Sequence, residues 1–126
     1  MSYYYSETPV KAALKQHFCH ECGKPIEIGK PYLRCSGSSD GGFWSGKFHA
    51  ECRAAVDDYN HKNRANWDDW YSLDEMDAED WPWLLEKHPI VAARFGITQG
   101  RIDKSIAARQ ARYARAIASL RKEPSQ

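Results

Sequence analysis

Cys19-His20-Glu21-Cys22-Gly23 and His49-Ala50-Glu51-Cys52 are the two stretches whose reading decides how this chain folds. A Cys-x2-Cys turn directs two thiols toward one point, and Gly23 relaxes the backbone directly behind them. His49 and Cys52 stand three residues apart, so in the first turn of a helix they share a face. A helix N-terminus also favours the thiolate form of Cys52. The two elements, separated by residues 24–48, make a Cys3His set suited to tetrahedral zinc, with Cys19, Cys22, His49 and Cys52 as ligands. Four protein ligands leave no coordination position for a catalytic water, so the expected zinc is structural. In isolated finger peptides such binding is worth roughly 10–16 kcal/mol. That exceeds what the thin core of a small, highly charged chain supplies alone.

Two alternatives bear on the ligand set. Cys19 and Cys22 could form a redox pair, but no thioredoxin-like βαβ pattern surrounds them. Cys35 falls at a strand end, where it either packs as a small buried hydrophobe or replaces His49 as fourth ligand. The burial preference of free cysteine and the register of His49 favour the first. His17 and His20 flank the Cys-x2-Cys turn as neighbours of the ligand set.

Outward from the motif, residues 1–16 read as a polar, tyrosine-bearing leader with a short strand or helix near residues 10–14. Ile26-Glu27-Ile28 and Tyr32-Leu33-Arg34 alternate around Gly29-Lys30-Pro31, which predicts a β-hairpin. Residues 36–42 read as a Gly/Ser-rich loop, and Phe43-Trp44 restarts an extended segment. Residues 49–63 read as a helix with Cys52, Ala55, Val56 and Tyr59 on one face. Trp81-Pro82-Trp83-Leu84-Leu85 opens a short helix with Asp80 as N-cap and Pro82 in its first turn. Residues 89–95 form a second short helix. Gly96 follows it as a C′ residue, and Thr98 caps a long helix ending near Lys122.

The order of knuckle, hairpin and helix carrying the last two ligands resembles the treble-clef zinc finger. Within that class, the Cys-x2-Cys…His-x2-Cys pattern is similar to fingers of the poly(ADP-ribose) polymerase type. The run from Cys19 to Arg34, with Phe48-His49-Ala50-Glu51-Cys52, also resembles small zinc-finger proteins of bacteriophages and prophages. The resemblance covers about residues 17–60 and implies a metal and a local fold, not an activity. An HNH-type nuclease also builds on a treble clef, which singles out Asn60 and His61, yet the Asp-His dyad expected before the helix is missing.

The chain has 126 residues and a formal net charge of +1, which conceals an asymmetry. Residues 67–87 carry eight carboxylates against one lysine, and residues 88–126 carry eight Lys or Arg against two carboxylates. At about 100° per residue, Ile102, Ile106, Tyr113, Ile117 and Leu120 share one stripe of the last helix. Arg101, Lys104, Arg109, Arg112, Arg115 and Lys122 lie opposite, free to grip phosphate. Val91 to Ile102 also looks like the core of a helix-turn-helix, with Ala92 and Gly96 at its small positions. Thr98, Gln99, Arg101 and Lys104 would then face the major groove. Ser105 and Gly100 depart from that pattern. The acidic middle shows no EF-hand ligand order. Trp67, Trp70, Trp81 and Trp83 are expected to pack the finger against the C-terminal helices, or to anchor a protein partner.

These readings give an α+β chain: a leader (1–16), a treble-clef finger (17–64), an acidic, Trp-rich connector (65–87) and a basic helical region (88–126). Four cysteines without a secretory h-region lead us to expect a reducing, cytoplasmic setting, and no apolar run reaches a membrane span. The expected function is a non-catalytic, regulatory, zinc-stabilised binder of DNA or RNA. The alternatives are a protein-interaction module, acting through the Trp-rich acidic segment, and, behind it, a zinc-supported nuclease. The last helix is a candidate homodimer contact.

Overall fold

The computed structural model describes residues 4–39, 42–65 and 70–121; Trp67, Asp68, Asp69 and Lys122 lie outside them. Within these residues the chain is mixed α and β, with two small antiparallel sheets and four α-helices. Strand β1 (Tyr4–Val10) lies along β4 (Tyr32–Ser39), which pairs on its other side with β5 (Gly42–Phe48). A second, two-stranded ribbon joins β2 (His17–Phe18) to β3 (Pro25–Ile26), with the Cys-x2-Cys turn between them.

The hairpin expected across Gly29-Lys30-Pro31 does not form. Backbone groups of that turn bond to Ala13 instead: Ala13 N–H donates to Lys30 O at 2.9 Å, and Gly29 N–H donates to Ala13 O at 2.8 Å. Ile26 pairs with His17, while Tyr32 is drawn into the three-stranded sheet opposite Val10. The hairpin is the one between β4 and β5, and residues 36–39, expected as loop, continue β4 to the Ser39↔Gly42 pair. Residues 4–10, expected as leader, are an edge strand. Pro9 is tolerated there because an edge position need not donate a ladder hydrogen bond.

Helix α1 (Ala50–Lys62) buries Cys52, Ala55, Val56 and Tyr59, the face its periodicity predicts. Its Arg53 is also buried, only 6% exposed. The guanidinium carbon lies 5.1 Å from the Phe48 ring centroid, 5.3 Å from Tyr5 and 6.0 Å from Trp44, and Nε is 3.6 Å from Asp57 Oδ1. A buried cation is tolerated where aromatic faces and a carboxylate replace its water. This cluster docks α1 on the sheet. Cys35 sits buried beside it, with the Tyr5 hydroxyl 3.7 Å from its sulfur.

Past α1, the connector makes single 3-10 turns at Leu73–Glu75 and Ala78–Asp80 and leads into α2 (Trp81–Lys87), α3 (Pro89–Arg94) and α4 (Gln99–Arg121). Leu73, Met76, Leu84, Val91, Ala92, Ile97 and Ile102 join the apolar residues of the sheets and α1 in one core. Asp80 makes no cap bond at α2. Its carboxylate is drawn away to the Tyr59 hydroxyl, at 2.9 Å, and toward Lys62, at 3.5 Å. Thr98 does cap α4, its Oγ1 accepting from Arg101 N–H at 3.2 Å. Trp83 packs at a tilt against Tyr59 with centroids 5.7 Å apart, so this tryptophan does join α1 to the tail.

Asn60 is the tightest tie between helix and connector. Its buried amide donates to Val56 O and to Tyr71 O, and its Oδ1 accepts from Tyr71 N–H, each at 2.8 Å. Replacing Asn60 with Ala takes away both partners of the Tyr71 backbone groups at a part-buried site. Asn60→Ala is expected to lower stability by about 2–3 kcal/mol, measured by chemical denaturation of the metal-loaded chain.

Candidate metal centre

The four donor atoms of Cys19, Cys22, His49 and Cys52 lie within 4.8 Å of one another. The ribbon β2–β3 brings Cys19 and Cys22, the last residue of β5 leads directly to His49, and the first turn of α1 supplies Cys52. Gly23 adopts φ +73°, a left-handed conformation that closes the turn as its N–H bonds to Cys19 O. A side chain there would be strained. Lys24 N–H donates to the Cys22 sulfur and His49 N–H to the Cys19 sulfur, both at 3.4 Å. Such N–H···S contacts favour thiolates.

The tautomer of His49 is fixed by its outer partner. Nε2 stands 3.0 Å from the Pro25 carbonyl oxygen, which can only accept, so Nε2 carries the proton. Nδ1 then points its lone pair into the cluster, 3.4 Å from Cys22 Sγ and 3.7 Å from Cys52 Sγ. A tetrahedron with zinc-like bond lengths has edges of about 3.6–3.8 Å. The donor set and its spacing therefore fit a tetrahedral metal ion such as zinc, and the carbonyl-bound imidazole is the outer-shell arrangement that metal-ligating histidines use. Cys35 stands apart among the tyrosine, arginine and sheet residues described above, not in the cluster.

The three thiols hold their protons unequally. Cys19 is held well below the ordinary thiol range, first by its hydrogen bond with Cys52 and then by backbone N–H groups, against the opposing effect of burial. Cys52 is pushed above the ordinary thiol range by the same bond, and Cys22 is raised by burial. A metal ion must displace the protons those two hold.

Two polar links join the cluster to the tail. Arg94 of α3 places Nη1 3.4 Å from Cys52 Sγ and Nη2 2.9 Å from Glu51 Oε1. Glu21, inside the knuckle, accepts from Leu73 N–H at 2.9 Å, and burial raises its pKa. No spacing rule could have found either link, because each spans a long stretch of chain. No protein-family model matches the chain, and neither a curated protein nor a solved structure does. The resemblance to polymerase-type and phage fingers therefore stands on its motif residues alone.

The residues singled out on the last helix are dispersed in role. Arg101 bonds to the carbonyl oxygens of Phe95 (3.2 Å) and Gly96 (2.8 Å) and lies 4.7 Å from the Trp81 ring centroid, closing the end of α3. Arg109, which at about 100° per residue falls beside the apolar stripe and not opposite it, pairs with Glu79 at 2.7 Å, so the acidic connector does meet the basic helix through an ion pair. Gln99 bonds Asp103. Lys104, Arg112 and Arg115 are exposed and have no ion pair among the described residues. The helix-turn-helix positions Val91, Ala92, Ile97 and Ile102 are buried, with Phe95 half-buried.

Co2+ titration is expected to produce thiolate-to-metal charge-transfer absorption saturating at one ion per chain. Cys22→Ser should abolish it and Cys35→Ser should leave it intact; the reverse result would move the site. Because protons compete for Cys22 and Cys52, apparent metal affinity should fall steadily as pH drops, read by competition with a chromophoric chelator.

Proposed function

We propose that this chain is a zinc-stabilised, non-catalytic nucleic-acid-binding protein with a regulatory role, its ligand cluster held in a treble-clef finger. The order of Cys-x2-Cys ribbon, β4–β5 hairpin and α1 around the four donors supports the finger assignment. Zinc, when bound, would neutralise the thiolates and fix the knuckle against the first turn of α1. The observation that carries the binding role is the outer half of α4, where Arg112, Arg115 and Arg121 project from a stretch of helix, residues 110–121, that is exposed throughout. Guanidinium groups so placed grip phosphate oxygens without first breaking internal ion pairs. A non-catalytic role accords with a ligand set that has four protein donors, and with the full commitment of the Asn60 amide to the fold.

The test is binding of the zinc-loaded chain to duplex DNA and to RNA across a salt series. Tight binding at low salt with a steep salt dependence is expected, and Arg112→Ala with Arg115→Ala should reduce the duplex slope by about 1.8. Absence of binding at low salt overturns the proposal.

A second reading has its own observation. Tyr113, Ile117 and Leu120 form a stripe on α4 and are 66%, 47% and 72% exposed. An apolar stripe left open on a protruding helix suits a protein contact, including a second copy of the chain. Sedimentation velocity would show concentration-dependent self-association that Leu120→Glu removes; a monomer at all concentrations excludes the homodimer.

A further inference from the structure

A cleft of about 460 Å3 lies between the Cys-x2-Cys ribbon and the β4–β5 hairpin, on a different part of the molecule from α4. Lys15, Arg34 and Lys47 line it with His17, His20 and Phe18. The same three cations continue into a neighbouring cleft of about 450 Å3 toward Val10 and Leu14. No carboxylate lines either one among the described residues. Residues 15, 34 and 47 are far apart in sequence, and only the fold makes them one cluster.

The sheet register makes the concentration of charge explicit. Arg34 on β4 stands directly opposite Lys47 on β5, a like-charge pair that costs stability in a sheet. Neither side chain, nor Lys15, has an ion pair among the described residues. Gly46 passes under the His20 ring so tightly that a Cβ there would come within 3.0 Å of it. At the rim, Phe18 is 62% exposed, a large aromatic ring held beside the cations by the short β2–β3 pairing.

Cations that track a backbone and an open aromatic face at the same site are the two parts of a single-strand platform. In a duplex the base faces are stacked on one another, so an exposed ring finds a partner only on an unpaired strand. We propose that this cleft binds single-stranded nucleic acid, with Lys15, Arg34 and Lys47 holding successive phosphates and Phe18 stacking on a base. The proposal rests on the nucleic-acid role proposed above and adds to it a second surface and a preferred strand state.

The experiment measures anisotropy of labelled oligothymidylate, oligouridylate and a mixed-sequence duplex against the zinc-loaded full chain over a salt series. The wild-type chain should bind the single strands more tightly than the duplex at equal salt. Lys15→Ala with Lys47→Ala should weaken single-strand binding and flatten its salt slope by about 1.4. Phe18→Ala should weaken it roughly tenfold with the slope unchanged. Removing Lys47 also relieves the cross-strand repulsion, so the thermal midpoint of Lys47→Gln should be no lower than wild type while its binding falls. Should the lysine variants bind strands like wild type while Arg112→Ala with Arg115→Ala loses binding, the cleft is excluded and the α4 surface stands. Equal losses on duplex and single strand, with Phe18→Ala silent, overturn the single-strand assignment. If the wild-type chain binds none of the three probes at low salt, both proposals fall.

Discussion

Three thiol groups and an imidazole brought within 4.8 Å of one another are the constraint around which this molecule is organised. Thiolates so close repel one another unless a cation lies between them, so the cluster is a place where binding energy and folding energy become the same quantity. The ligands come in pairs from two elements, the Cys-x2-Cys ribbon and the start of α1, and each is weakly held at that point. The ribbon β2–β3 is only two residues long per strand, and the first turn of α1 has no side-chain cap. The N–H···S bonds and the Pro25 carbonyl on His49 align these pieces on one point. Arg94 and Glu21 then extend the same point into α3 and the connector. Finger and tail are thus joined by polar contacts at the cluster as well as by the shared apolar core.

The sequence carried the local parts of this arrangement well. The spacing of Cys19, Cys22, His49 and Cys52 picked out the side chains that converge, and the periodicity of residues 52–59 picked out the buried face of α1. Helix signals in the tail were equally direct at Pro82 and Thr98. What failed was pairing at a distance. Alternation at Ile26 and Ile28 looked like one arm of a hairpin, but Ala13 satisfies the backbone of the adjoining turn and leaves Tyr32 to pair elsewhere. Serines and glycines at 36–39 looked like loop because their propensities are poor for strands, yet β5 pairs with all four and β1 with residues 36–38. Asp80 had the chemistry of an N-cap and was recruited by Tyr59 instead. Arg53 gave no signal at all, since a buried arginine depends on three aromatic residues from β1 and β5.

Charge follows the same division. The acidic connector and basic helix invite the picture of two halves neutralising each other, but among the described residues Arg109–Glu79 is the one ion pair between them, beside the contact of Arg101 with the Trp81 ring. Other carboxylates of the connector serve the fold: Asp80 with Tyr59 and Lys62, and Ser72 bonding Asp74 and Glu75 within their own turn. Cations without an ion pair gather in two separate places, among others, the outer half of α4 and the cleft beside the knuckle. Lys15, Arg34 and Lys47 form the second of these through strand register, which linear charge counting does not detect.

From Gln110 to Arg121 every residue of α4 is exposed. At 1.5 Å per residue that stretch is roughly 17 Å of unsupported helix, whereas charges in physiological salt are screened over about 8 Å. The tip of α4 is therefore electrically remote from the body that carries it. An approaching polyanion would meet a short cationic spar before it sensed the acidic connector at all. For such a partner the formal charge of the whole chain, +1, is the wrong quantity; what counts is the charge within one screening length of first contact.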